Sequence, residues 1–285
     1  MDINNNGPTF LYHYTNVDSL ALILKNKSIR LNSLDQMDDL QEQDCEDKQN
    51  FGKFVFVSSW TSDSKESIPM WRMYTPKQRG IRIKLPVNPF KKYTVTAEQI
   101  SDCITCSREV TDKATAKSEI IIPVNQYFNN EFYVSNFGCD KQLFKVTYTQ
   151  EKSLLRPHIL ETNNKDSFSV HLSKLGKYKN QYWEFQKEWR YILLIYPMSQ
   201  IKLTNEALLD KYDEIKQFYH KTILGQASLP FNYYDLKIDE QIFNQMSITL
   251  APDISESSKT IVDLLIKEYN PNCNIEESEL DKLLR

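Results

Sequence analysis

The chemistry-bearing residues of this sequence begin with a histidine between two tyrosines. In Leu11-Tyr12-His13-Tyr14-Thr15 an extended backbone sets His13 on one face with Leu11 and Thr15, and turns Tyr12 and Tyr14 to the other. A histidine so placed can hydrogen-bond a ligand hydroxyl or move a proton; it can equally be a satisfied core residue. Late in the chain Gln186, Glu188 and Arg190 recur at period two, with Trp183, Trp189 and Tyr191 as aromatic surroundings. An arginine beside a carboxyl group favours its ionised form. Glu188 is therefore suited to orient a sugar hydroxyl and to stabilise a cationic transition state; the alternative is a structural ion pair. Trp71 and Tyr74, three residues apart, share one face of a helical turn. They can stack on a planar ring or simply fill a core. The densest basic run is Lys77, Arg79, Arg82, Lys84, Lys91 and Lys92, which can meet phosphates or form a solvated strand face.

Other chemistries lack their residues. No G-x-G-x-x-G or G-x-x-x-x-G-K-[ST] occurs, and six glycines leave little material for a phosphate-cradling loop. No G-x-S-x-G or H-E-x-x-H occurs either. Cys103 and Cys106 make one C-x-x-C, but the four histidines do not supply the two further ligands nearby, so no metal is expected. The net charge of −3 gives the whole molecule no electrostatic pull toward nucleic acid or an anionic membrane, which argues against binding nucleic acid through the basic run. The five cysteines are scattered and odd in number, which points to a reducing, cytoplasmic setting. The first residues carry no signal-peptide pattern, and no run of about 18 apolar residues is present to span a membrane.

The elements that must position these residues are short and mixed. Residues 10–15 read as a strand, and Thr15-Asn16-Val17-Asp18 as a capping box opening a helix to about residue 27. Strands follow at 29–34 and 54–60, separated by an acidic stretch, 35–50, expected as an exposed loop or short helix. A helical turn is expected at 68–74 and a half-buried strand at 80–85. Residues 91–140 are polar and weakly periodic, an insertion with some helix. Beyond it the pattern gives a strand at 145–148, a helix at 167–180, a strong strand at 188–196, a helix at 206–217 and a strand at 222–225. A helix at 238–245, a strand at 247–250 and an amphipathic helix at 257–269, with Ile261, Leu264 and Leu265 on one face, complete the order. Without regular β–α alternation this is an α+β chain, a mixed sheet of short strands with flanking helices, read as a single domain over 1–285 with the polar insertion at about 91–140.

Taken in order, these pieces resemble the domain-of-unknown-function 2971 family. The resemblance runs through Leu11-Tyr12-His13-Tyr14-Thr15, the acidic Met37-Asp38-Asp39-Leu40-Gln41-Glu42, then Phe56 to Trp60. It continues in Met70-Trp71-x-x-Tyr74 with Gly80-Ile81, and in Trp183-Glu184-Phe185-Gln186-Lys187-Glu188-Trp189-Arg190. Two positions depart from the family pattern: Leu40 stands for a proline, and Gln186 for the first glutamate of the late signature. The His…Tyr…Glu order is in turn similar to the His-Tyr-Glu class of ADP-ribosyltransferases, whose core binds NAD without a Rossmann glycine motif. That resemblance implies NAD as substrate, His13 on the adenosine-side ribose, Tyr74 or a nearby aromatic on nicotinamide, and Glu188 on the 2′-hydroxyl of the nicotinamide ribose. It also implies Tyr14, Trp60, Trp71 and Arg190 as binding residues, and a nucleic-acid or protein acceptor in a defence or toxin-like setting. Fold-level likeness does not fix function. NAD hydrolysis and a non-enzymatic ligand-sensing or partner-binding module stand beside transfer as readings, and the oligomeric state is left open.

Overall fold

The computed structural model describes residues 7–96, 118–127, 131–135, 142–164, 167–197, 228–281 and 283. Cys103, Cys106, Cys139, the helix expected at 206–217 and the strand expected at 222–225 lie outside them.

Strand β1 (Phe10–Asn16) runs into helix α1 (Val17–Asn26), which buries Val17, Leu20, Ile23 and Leu24 at helical spacing. The cap is Asn16 rather than Thr15. The Asn16 side chain accepts from the Ser19 N–H at 2.9 Å, and Thr15 stays in the strand. Lys27, in the left-handed region at φ 46°, ends the helix and turns the chain into β2 (Ser28–Ser33). After three 3-10 turns (Leu34–Gln36, Leu40–Gln43 and Gly52–Phe54) come β3 (Val55–Thr61), helix α2 (Ile68–Tyr74) and β4 (Gly80–Pro86). Strand β4 buries Ile81, Ile83 and Leu85 on one face, and on the other Gly80 and Arg82 are also buried while Lys84 stays partly exposed. The short strands β5 (Tyr93–Val95), β6 (Ser118–Ile120), β7 (Phe132–Val134), β8 (Leu143–Lys145) and β9 (Thr147–Thr149) follow. Then come β10 (Leu160–Asn164), β11 (Ser167–Val170), β12 (Tyr178–Asn180) and the long β13 (Glu188–Pro197). The chain closes through β14 (Tyr233–Lys237), a helical turn at Glu240–Phe243, β15 (Ser247–Leu250), the helix Glu256–Tyr269 and β16 (Asn274–Glu276). The content is α+β, as expected.

Among the described residues, ten strands form one sheet with the path β14-β2-β3-β1-β4-β15-β16, and β13 joins the other edge of β3 and carries β7 and β8. All pairs in it are antiparallel except β15 with β16. The decisive feature is how β3 uses its two edges. One edge pairs with β13 along its length, from Thr61 opposite Glu188 to Val55 opposite Leu194. The other edge is shared: β2 takes its start, Val57 opposite Asn32, and β1 touches only its end, Thr61 opposite Tyr12. Strands β1 and β2 therefore diverge over β3, and the sheet opens between them.

Two expectations are corrected. Residues 167–180 are not a helix: β11 pairs antiparallel with β10, Leu172–Lys174 is a 3-10 turn, and β12 pairs parallel with β9. Ser167-Phe168-Ser169-Val170 alternates polar with apolar, a period of two, and Gly176 at φ +77° turns the chain before β12. In the helix Glu256–Tyr269 the buried stripe is Ser258, Val262 and Ile266, with Leu265 partly packed. Ile261 and Leu264 are 39% and 63% exposed, so the apolar residues straddle two faces and packing chose the other one. Among the described residues, no helix is long and apolar enough to cross a membrane.

Candidate functional site

The opening between β1 and β2 is a cleft of about 360 Å³, within the ~300–1,000 Å³ of small-molecule sites. Residues 12–15 of β1 form one wall, α1 and β2 the other, and Ser58, Ser59 and Trp60 of β3 the floor. Tyr74 and Met70 of α2 reach it from one side, and Glu188, Gln186, Lys179 and Glu42 close one end. At the other end Arg30 forks onto Asp235, Nε to Oδ1 at 2.9 Å and Nη2 to Oδ2 at 3.1 Å, over the ring of Tyr233.

His13 marks where β1 leaves β3. Its Nδ1 lies 2.8 Å from the carbonyl oxygen of Ser59, a β3 acceptor that a continuing β1 ladder would otherwise use. A carbonyl can only accept, so Nδ1 carries the hydrogen. Burial pushes the imidazole pKa below its ordinary value and outweighs the opposing effect of that hydrogen bond. The ring is therefore neutral at neutral pH, and Nε2 is an acceptor at the cleft wall. Trp60 lies beside it with ring centroids 5.0 Å apart.

Glu188 is the first residue of β13, set there by Lys187, whose left-handed backbone (φ 46°) ends the turn Gln181–Gln186. Gln186 is thus on the turn and not on the strand face of Glu188. Its amide donates to the Tyr74 hydroxyl and ties that turn to α2. Glu188 belongs to a buried cluster. Arg190 donates from Nε to Glu188 Oε1 at 2.6 Å and from Nη2 to Oε2 at 3.1 Å. Its Nη1 and Nη2 also grip Glu42, the latter at 2.9 Å from Oε1, and Nη1 reaches Gly176 O at 3.2 Å. Lys179 Nζ joins Glu42 at 2.9 Å and Glu188 at 3.3 Å. Burial alone would raise the Glu188 carboxyl, but Arg190 and Lys179 outweigh it and hold it below its ordinary pKa. The Tyr74 hydroxyl is pushed well up by burial and by the negative charge of Glu188, Asp38 and Glu42, so it remains a protonated donor.

The structure brings His13, Tyr14, Trp60, Tyr74 and Glu188 to one cleft. Trp71 and Arg190 do not line it. Trp71 is buried behind the wall, edge-on to Tyr14 at 4.8 Å and donating to Glu66 at 2.8 Å. Arg190 is 0% exposed, behind the carboxylates. The basic run is dispersed. Arg79 pairs with Asp18, Lys92 pairs with Glu119, and Lys84 and Lys91 lie over the rings of Phe10 and Tyr93. Arg82 is buried over Tyr12 and Tyr14. Glu42 and Lys179 are the residues that sequence reasoning missed. Glu42 closes the acidic motif 37–42, read as exposed, yet it is buried along with Asp39. Lys179 lies in the segment misread as helix.

An ionised carboxylate, a neutral imidazole acceptor, a phenol donor and an aromatic floor suit a flat polar ligand carrying sugar hydroxyls. The carboxylate can oppose positive charge that develops on it. Compared with known proteins, no curated protein and no solved structure matches the chain. Residues 70–191, a span holding Tyr74, Lys179, Glu188 and Arg190, match the family described as "Protein of unknown function (DUF2971)".

Proposed function

We propose that this chain is an NAD-consuming enzyme that transfers ADP-ribose to a macromolecular acceptor, nucleic acid or protein. One observation carries the reading: a single cleft presents the neutral acceptor of His13, the ring and hydroxyl of Tyr74 and the ionised Glu188 together. On this reading His13 Nε2 accepts from a hydroxyl of the adenosine-side ribose. The Tyr74 ring lies against nicotinamide. Glu188 accepts from the 2′-hydroxyl of the nicotinamide ribose and opposes the positive charge on the sugar as the glycosidic C–N bond breaks, the logic of carboxylate-assisted glycoside cleavage. The bond's electron pair leaves with nicotinamide, which departs neutral. The acceptor's nucleophile then forms the new bond to the sugar carbon and loses its proton.

NAD labelled in the adenylate half, incubated with the protein and a cell lysate, tests this. Label on polymer, lost in Glu188→Gln, supports transfer. Label confined to free ADP-ribose makes water the acceptor and the enzyme a glycohydrolase.

A second reading has its own observation. Both oxygens of Glu188 already meet Arg190 or Lys179, and the residue is 4% exposed. Under it the cleft senses a nucleotide without turning it over. Saturable binding of NAD with no product, unchanged in Glu188→Gln, would favour that module.

A further inference from the structure

Two cations share one pair of carboxylate oxygens. Glu42 Oε1 and Glu188 Oε2 both contact Arg190 Nη2, at 2.9 and 3.1 Å, and both contact Lys179 Nζ, at 2.9 and 3.3 Å. The two cations are not equivalent. Arg190 is sealed behind the pair and further anchored on Gly176 O, whereas Lys179 stands at the cleft wall. With two carboxylates and two cations the cluster is neutral. Without Lys179 it would hold two carboxylates against one guanidinium away from water, and uptake of a proton by one carboxylate is the least costly relief.

We propose that Lys179 is a positioning residue that keeps Glu188, together with Glu42, as an oriented carboxylate at the cleft wall. Glu42, brought from a turn 148 residues before Arg190, thereby supplies the second carboxylate of the cluster. The proposal rests on the reading of Glu188 as the group that opposes positive charge on the sugar. The other groups that face the cluster do not replace Lys179. Asp38 and Asp39, from the turn before Glu42, add negative charge. Tyr74 from α2 and Tyr148 from β9 stay protonated, and the Tyr148 hydroxyl accepts from the Glu188 N–H at 2.8 Å. His13 on β1 is neutral.

The test is a pH titration of the glutamate side-chain carboxyls by ¹³C NMR, beside the pH profile of nicotinamide release. It is run for the natural chain, Lys179→Met, Lys179→Arg and the double variant Glu42→Gln/Lys179→Met. In Lys179→Met one buried carboxyl should titrate at higher pH. The acid limb of the rate should follow it, with roughly tenfold less activity below the limb for each pH unit moved. Lys179→Arg should restore both curves. The double variant, with charge balanced again, should return the Glu188 titration to its natural position. Should Lys179→Met fail to fold, Lys179→Gln, which also removes the positive charge, takes its place with the same displacement expected. Carboxyl titrations in Lys179→Met identical to those of the natural chain would overturn the proposal. So would a Glu188 titration in the double variant as displaced as in Lys179→Met. If the natural chain releases no nicotinamide at any pH, the catalytic reading falls, and the NMR titration still decides the role of Lys179.

Discussion

Arg190 holds Glu188, two residues earlier on the same strand, with two hydrogen bonds: Nε to Oε1 at 2.6 Å and Nη2 to Oε2 at 3.1 Å. Period two places both side chains on one face of β13, and the guanidinium fork matches the carboxylate plane. The same guanidinium grips Glu42, so one fully buried arginine fixes two carboxylates. Such a cluster is weak evidence of stability, because desolvation offsets the attraction. Removing one partner is another matter, because it strands the others.

Arg190→Met should therefore destabilise the fold by about 3–5 kcal/mol, the cost of an uncompensated buried charge. Equilibrium urea unfolding measures it. A loss under about 1 kcal/mol would mean that the two carboxylates find other partners or take up protons at little cost.

His13 sets a pH dependence. Its folded pKa lies below its ordinary value because burial disfavours the charged ring. Between that lowered value and about 6.5 the unfolded chain binds more protons than the folded one, so stability rises with pH. The contribution is fully present above about pH 6.5 and is lost as pH falls through the folded pKa. Thermal unfolding from pH 5 to 8 should show this fall in the natural chain and a flatter curve in His13→Gln. Parallel curves would place the pH sensitivity elsewhere.

Much of the frame was legible in the sequence. The strands holding His13, Trp60 and Glu188, and the turn of α2 holding Tyr74, follow from local periodicity, a cap and β-branched or aromatic runs. The cleft depends on something local patterns do not encode, the unequal sharing of one β3 edge between β1 and β2. Glu42 was hidden for a related reason. Its neighbours Asp38, Asp39 and Gln41 are polar, and its partner is 148 residues away, so composition pointed to solvent while tertiary pairing buried it. Lys179 was obscured because residues 167–180 include helix-compatible leucines and lysines, whereas the segment's partners, β9 and β10, come from the preceding stretch.

Glu66 fastens the wall that carries Tyr74. Its Oε2 accepts from Trp71 at 2.8 Å and from Ser278 Oγ at 2.5 Å, and its Oε1 from the Glu279 N–H at 2.7 Å. Glu66→Ala leaves these donors unmatched and should cost about 1–3 kcal/mol. Trp71 emission should shift to the red and proteolysis near residue 278 should quicken. An unchanged digestion pattern would show that the apolar contacts of Trp71 and Leu280 suffice.

Gly176 separates strain from crowding. A Cβ there would meet Ile192 Cδ1 at 3.4 Å, an ordinary contact, but φ is +77°. Gly176→Ala should cost about 1–2 kcal/mol from backbone conformation. It should also loosen the carbonyl that accepts from Arg190. Denaturant midpoints measure the first effect. A neutral outcome would mean that the turn relaxes to negative φ, and the loss of the Arg190 contact would then be visible in the side-chain NMR spectrum.

If Glu188 opposes positive charge on a sugar bound in the β1–β2 cleft, removing its charge should slow the breaking of the glycosidic bond. Nicotinamide release from NAD by the purified protein, beside folded Glu188→Gln, tests it most directly. The natural chain should release nicotinamide, and the mutant should do so more slowly by on the order of 10²–10³-fold, as when one preorganised electrostatic partner of a transition state is removed. No release by the natural chain, or equal release by the mutant, would contradict that role and leave Glu188 as one half of a buried ion pair.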